Sequence, residues 1–321
     1  VSTTDHDTGT RVPMVPLRSV LFVASTEPEQ IRAALASGAD AVIIDMEEPQ
    51  TPMNESVRER ARAIVREVLS AAPVAGTVGA PRILCRVQAP RTGQMLKDLR
   101  AILHPALYGV VVPKSLGPDD IVAADAVLAN AEAEAGLPAG RVVLYPILET
   151  ATALRRAYDI AMASPRVAHL GGAISRFGDI HQAVGYRWTP ESRETFVLRS
   201  NVLIDARAAG IRYPISGMWG GAVADVEGFR RFALELRDLG YFGMMISYAE
   251  HVELCREVFT PAPDEVAYWK DLVRLGDEAA RTGVGPILYG DPGAGEGHVV
   301  HGAHVESARL NLEWATALGV A

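Results

Sequence analysis

Glu149 closes an apolar run, Arg141 to Leu148, and a helical pattern opens directly behind it in LETATAL, with Thr150 placed to cap that helix. A lone carboxylate at the end of a buried run has no structural work to do there. A second apolar run, VAHLGGA (167–173), leads into RFGDIHQAVGY and Asp179. Two carboxylates on neighbouring strand ends can hold one hard cation and leave positions open for a substrate. Arg86, at the end of RILCRV (82–87), supplies the bidentate fork that a carboxylate prefers. Glu149, Asp179 and Arg86 together form the least bland set in the chain.

Positioning such groups needs a frame, and β-type runs alternate with helical patterns along most of the chain. The strands are read at 18–24, 41–46, 82–87, 109–114, 141–148, 167–173, 212–218 and 243–247. Between the second and third lies a helix with Val57, Ala61, Ile64, Val65, Val68 and Leu69 on one face, the 3.6-residue period of an amphipathic helix. Strands apolar on both faces, each followed by a helix, imply a parallel sheet covered by helices. Eight such units close an α/β TIM (β/α)8 barrel, whose polar residues just past the strand ends are the catalytic candidates. An open doubly wound sheet is the alternative, but the turn after the first strand is AST (24–26), without its glycine-rich signature. The expected organisation is a loose tail over 1–17, the barrel over 18–260, and a C-terminal helical extension over 261–321 that reaches a neighbouring subunit. That extension reads as a helix over 263–282, a Gly-rich loop GDPGAGEG (290–297) and a last helix over about 303–318.

Past the strand ends stand Asp45, Glu47, Glu48, Arg86, Lys114, Glu149, Asp179 and Trp219. Glu47 and Glu48 also read as an acidic pair before a helix, and Lys114 as a solvated rim charge. His298, His301 and His304 lack the spacing of a zinc helix and read as a solvated segment. Cys85 and Cys255 sit in apolar runs as core thiols, and two cysteines make no disulfide framework, so a reducing cytoplasm is the expected setting. A net charge of −8 argues against a nucleic-acid partner. No apolar run approaches the ~20 residues of a membrane helix.

The chain resembles the HpcH/HpaI aldolase and citrate lyase β-subunit family, which includes malyl-CoA lyases. The likeness runs in order through RSVLFVAS, SGADAVIIDMEEPQTP, CRVQAPRTG, VVVPKS, PILETATAL, FGDIHQAVGY and EHVELCREVFTPAPDEVAYWKDLV, from Arg18 to about Arg309. The resemblance implies a TIM barrel that makes or breaks carbon–carbon bonds through a metal-bound enolate. It implies Mg²⁺ or Mn²⁺ on Glu149 and Asp179, and Arg86 facing the oxygen on which charge develops. Arg18, Trp219 and Asp45 are expected to join Arg86 in binding substrate. The family's PG after the first strand is Ala24-Ser25 here, and its HP before the last barrel helix is Ser247-Tyr248. Glu48 stands where the aldolase branch has its acid/base His. Glu296 stands where the lyase branch supplies an Asp to a neighbouring subunit's site. Glu48 or Glu296 is therefore the expected proton carrier.

These readings predict a metal-dependent carbon–carbon lyase, a homo-oligomer (trimer or hexamer), acting on a small anionic β-hydroxy acid or its CoA thioester. The alternatives are an aldolase on free 4-hydroxy-2-oxo acids and a barrel that binds an acidic metabolite without turnover.

Overall fold

The computed structural model describes residues 11–48, 53–283, 287–290 and 297–321. The chain divides into two compact units, Val1–Val258 and Phe259–Ala321. The first unit is built on eight parallel strands: β1 (Ser19–Ala24), β2 (Ala41–Asp45), β3 (Arg82–Arg86), β4 (Leu107–Val112), β5 (Val143–Leu148), β6 (Gly171–Gly172), β7 (Ile215–Ser216) and β8 (Gly243–Ile246). They are paired in the order β6-β5-β4-β3-β2-β1-β8-β7. Between β6 and β7 the ladder gives way to two backbone hydrogen bonds, Gly217 N–H to the Gly172 carbonyl at 3.0 Å and Met218 N–H to the Ile174 carbonyl at 3.1 Å. The sheet is thus a nearly closed barrel wrapped by helices.

A strand turns successive side chains to opposite faces, so one parity fills the barrel and the other meets the helices. Val20, Ala41, Ile43, Leu84, Val111, Tyr145, Ile147, Ile215 and Met245 form the inner cluster. Burying each large apolar side chain contributes ~1.5–3 kcal/mol before chain entropy is counted. The same parity carries forward to the carboxyl ends. Asp45 follows Ala41 and Ile43, Arg86 follows Leu84, and Glu149 follows Tyr145 and Ile147. The pattern that packs the barrel therefore aims these three polar groups inward at its top.

Two glycines make β6. A Cβ on Gly171 would lie 2.5 Å from the Tyr145 hydroxyl and 2.9 Å from the Ile215 carbonyl. Gly172 has φ +117° and a Cβ there would meet the Leu148 carbonyl at 2.5 Å. Strands six and seven are accordingly much shorter than the apolar runs that announced them.

The segment from Arg11 to Leu17 corrects the expectation of a loose tail. Arg11 donates to the carbonyls of Val167 and Ala161, both at 3.0 Å, and Leu17 is buried in the barrel floor cluster. The remainder of that expected tail, residues 1–10, lies outside the described residues.

In the second unit, a helix Pro263–Thr282 packs on a helix Gly302–Ala317 around Leu272, Val300, Val305 and Ala308. A Cβ on Gly276 would sit 2.7 Å from Val305, so the glycine permits that close approach. The unit also holds an antiparallel pair, β9 (Ile287–Tyr289) with β10 (His298–Val300), which flanks the Gly-rich stretch 290–297 and was not read from the sequence. Residues 291–296 of that loop lie outside the described residues. No helix among the described residues is long and apolar enough to cross a membrane.

Candidate active site

Arg86 is the most constrained polar group at the carboxyl end of the barrel. It pairs in register with Asp45 on the neighbouring strand. Its Nε and Nη2 donate to the two Asp45 carboxylate oxygens at 2.9 and 2.8 Å, and its guanidinium lies 5.5 Å from the Phe22 ring centroid. The remaining nitrogen, Nη1, is 3.2 Å from Glu47 Oε2 and 3.8 Å from Glu149 Oε2. Burial alone would lower the Arg86 pKa, but Asp45, Glu47 and Glu149 more than offset it, and the group is held above its ordinary value. It is a permanent cation.

The carboxylates around it are fixed by backbone. Glu47 N–H donates to Asp45 Oδ1 at 3.0 Å, and Gln88 Nε2 donates to the Glu47 carbonyl at 2.7 Å. Gln88 is itself held through its N–H by Asp98, which a buried Arg62 clasps at 2.8 Å. Glu149 is 7 % exposed and accepts the Lys114 backbone N–H at 2.7 Å. Behind it Thr150 caps the helix Ala151–Arg155, accepting from Ala153 N–H, as the sequence implies. Burial raises the Glu149 pKa to about 7, with Glu47 and Asp179 adding to the rise and Arg86 opposing it. Burial raises Glu47 as well.

Asp179 is the first residue of the helix Asp179–Val184 and lies partly open to solvent. Lys114 Nζ spans the group, 2.8 Å from Glu48, 3.1 Å from Glu47 and 3.5 Å from Asp179. A cavity of about 340 Å³ is lined by Arg86, Glu48, Glu149 and Asp179 on one side and by Phe22, Ile174 and Met218 among its apolar wall. A more open cleft of about 720 Å³ adjoins it across Glu48, Glu149 and Asp179 and reaches Glu47 and Lys114.

The structure thus brings together Arg86, Glu48, Glu149, Asp179 and Asp45. Glu296 lies outside the described residues. Two expected substrate contacts sit elsewhere. Arg18 is at the amino ends of the strands, where its Nε and Nη2 fork onto Asp40 at 2.8 and 2.7 Å, so it staples the barrel floor at the end opposite the cavity. Trp219 packs edge-on against Phe229 and His251 and does not line the cavity. Asp45 does reach the site, but both of its oxygens are engaged by Arg86, which makes it the arginine's holder. His181 lines the cavity and sits edge-on to Tyr186. His301 stands at the N-cap of the helix Gly302–Ala317, its N–H donating to His304 Nδ1 at 3.2 Å, and no group of three His, Cys, Asp or Glu suited to a metal occurs among the described residues. Phe22 and Gln88 escaped the sequence reading. The inward parity of Phe22 was the available signal, while nothing local marks Gln88.

The family model for HpcH/HpaI aldolase/citrate lyase matches residues 18–249, the greater part of the chain. The chain belongs to that family, and hence to a group of aldolase- and citrate-lyase-type enzymes. Among its relatives, a (3S)-malyl-CoA thioesterase of Cereibacter sphaeroides is 26% identical over 94% of this chain and 96% of its own. The citrate lyase subunit beta of Escherichia coli is 26% identical over 94% of each chain. The fold matches a citrate lyase from Burkholderia xenovorans with a TM-score of 0.74 at 19% identity, over 97% of this chain and 94% of that one. It also matches CitE from Mycobacterium tuberculosis, solved with magnesium, acetoacetate and coenzyme A, with a TM-score of 0.66 at 21% identity, over 94% and 98%.

Proposed function

We propose that this protein is a divalent-metal-dependent carbon–carbon lyase that cleaves or forms a β-hydroxy acid derivative, with a CoA thioester as the favoured substrate form. The observation that carries the reading is the convergence of Arg86, Glu149 and Asp179 on one cavity. The donor set suits Mg²⁺, or Mn²⁺ in its place: two carboxylates are hard oxygen ligands, and Mg²⁺ binds through one or two of them while keeping waters for exchange with substrate. The charge balance agrees, because among the described residues Asp45, Glu47, Glu48, Glu149 and Asp179 pair with only Arg86 and Lys114. Bound there, the ion would supply Lewis-acid polarisation of the substrate's carbonyl oxygen.

The chain's own residues do the rest. Arg86, locked by Asp45 and Phe22, presents Nη1 to the oxygen that gains charge as the carbon–carbon bond breaks, a donor already oriented before reaction. Glu48, whose side chain is 56% exposed at the cavity mouth, is the proton carrier on this chain. Glu296 remains the second candidate for that role. The relatives that handle malyl-CoA, and the neighbour solved with coenzyme A, support the thioester form.

Proton exchange in D₂O with Mg²⁺, followed by NMR on acetyl-CoA and pyruvate in parallel, tests the proposal. Exchange on the acetyl-CoA methyl is expected. Exchange on pyruvate alone would make the protein an aldolase of free 2-oxo acids, with Glu48 in the place of that branch's His. Exchange on neither would favour a metabolite-binding barrel. Glu149→Gln is expected to abolish Mg²⁺ binding and exchange while leaving the circular dichroism spectrum intact. Full activity in a metal-stripped Glu149→Gln protein would sink the mechanism.

A further inference from the structure

The cation that spans the acidic cluster sits on a backbone turn that L-residues seldom adopt. Lys114 has φ +50°, one of three non-glycine residues in the left-handed region among those described. Glycine enters that region freely and other residues do so at a cost. From this turn Lys114 reaches carboxylates in two ways. Its N–H binds Glu149 at 2.7 Å, and its ammonium reaches Glu48, Glu47 and Asp179. A glycine would supply the same N–H without strain, so the backbone bond does not account for a lysine here. The ammonium does: Asp179 follows β6, Glu47 and Glu48 follow β2, and among the described residues Asp179 has no other ion-pair partner.

We propose that Lys114 is a positioning residue that acts as the site's own cation in the metal-free protein. It draws Asp179 toward Glu47 and Glu48, and it must release Asp179 when a divalent ion binds. The proposal rests on the reading of Glu149 and Asp179 as the ion's carboxylates. In the metal-free state the ammonium offsets the mutual repulsion of the carboxylates. In the loaded state it is a like charge close to the ion. Lys114 thus holds the affinity for the ion below what the carboxylates alone would give, and keeps the ion exchangeable.

Two measurements on the full chain test this. In the first, wild type, Lys114→Met, Asp179→Asn and the double variant are melted in EDTA. Lys114→Met is expected to lower Tm by several degrees, and by clearly less when Asp179 is already Asn, the signature of a coupled pair. Additive effects of the two substitutions would overturn the pairing. In the second, Mg²⁺ is titrated calorimetrically. Lys114→Met is expected to bind about tenfold more tightly than wild type, and Lys114→Arg close to wild type. Equal or weaker binding by Lys114→Met would overturn the competition while leaving the metal reading in place. Wild type that binds no Mg²⁺ would instead remove the metal reading, and the EDTA cycle alone would then judge Lys114. Should Lys114→Met fail to fold, Lys114→Gly keeps the N–H to Glu149, suits the turn and carries the same expectations for the coupling with Asp179→Asn and for Mg²⁺ affinity.

Discussion

Arg86 shows how much of a functional geometry one residue type carries. Its three guanidinium nitrogens have separate tasks: two are spent on Asp45 and one faces Glu47, Glu149 and the cavity. A lysine would keep the charge and lose the fork that sets its direction. Arg86→Lys is therefore expected to lower the enolisation rate by about 10²–10³-fold, with Mg²⁺ binding retained, as for loss of one oriented donor in other enzymes. Rates of methyl deuteration under saturating Mg²⁺ check this. An unchanged rate would remove Arg86 from charge stabilisation.

At the scale of elements, the strand ends bring residues distant in sequence to one level, and at β6 that assembly leaves no room for a side chain. Gly172→Ala would push a methyl into the Leu148 carbonyl and force a left-handed φ on alanine. The expected loss is about 3 kcal/mol, read by urea unfolding, with the Glu149 end of β5 displaced as well. A loss within experimental error would show that the seam relaxes freely. This level also shows what a sequence discloses. The eight apolar runs, each followed by a helical pattern, made the barrel legible, together with Asp45, Arg86 and Glu149, because polar residues that close such runs stand out in residue order. Asp179 was legible as the carboxylate that follows the sixth apolar run, although it stands several residues past β6 at the head of a helix. The span of Lys114 over Glu47, Glu48 and Asp179 was not legible. It depends on a positive φ and on contacts between loops after three different strands. Arg18 was misread because resemblance marks a residue without saying which end of the barrel it faces.

Stability of the molecule as a whole is expected to depend on one buried imidazole. His169 is fully buried, its Nε2 is 3.0 Å from the Tyr108 hydroxyl, and its Nδ1 has no partner. Burial pushes its pKa down from 6.5 to about 3. Between those values the unfolded chain binds one more proton at this residue than the folded one, so the His169 contribution to stability is complete above pH ~6.5 and is lost on acidification at ~1.4 kcal/mol per pH unit, while Glu149, raised to about 7, acts in the opposite direction over the upper part of that range. Urea unfolding of wild type and His169→Gln at a series of pH values should differ by that slope, one proton's worth, below pH ~6.5. An unaltered slope in the variant would assign the acid sensitivity to other groups. The proposed homo-oligomer also belongs to this scale. Leu288, Val299 and Leu310 of the C-terminal unit are exposed apolar residues. Sedimentation velocity at micromolar concentration is expected to give a trimer or hexamer, and a pure monomer would count against it.

The gap in the barrel ladder has a thermodynamic consequence. Gly172 and Ile174 on one lip, and Gly217 and Met218 on the other, line the cavity as well as carrying the two hydrogen bonds that close the seam. Filling the cavity and zipping the seam are then two faces of a single equilibrium. Whatever free energy a bound molecule contributes to holding the lips together, the closed lips return as affinity. A barrel with an unbroken ladder would bind as a rigid cup. Here a substitution that loosens the lips is expected to be felt as weaker binding.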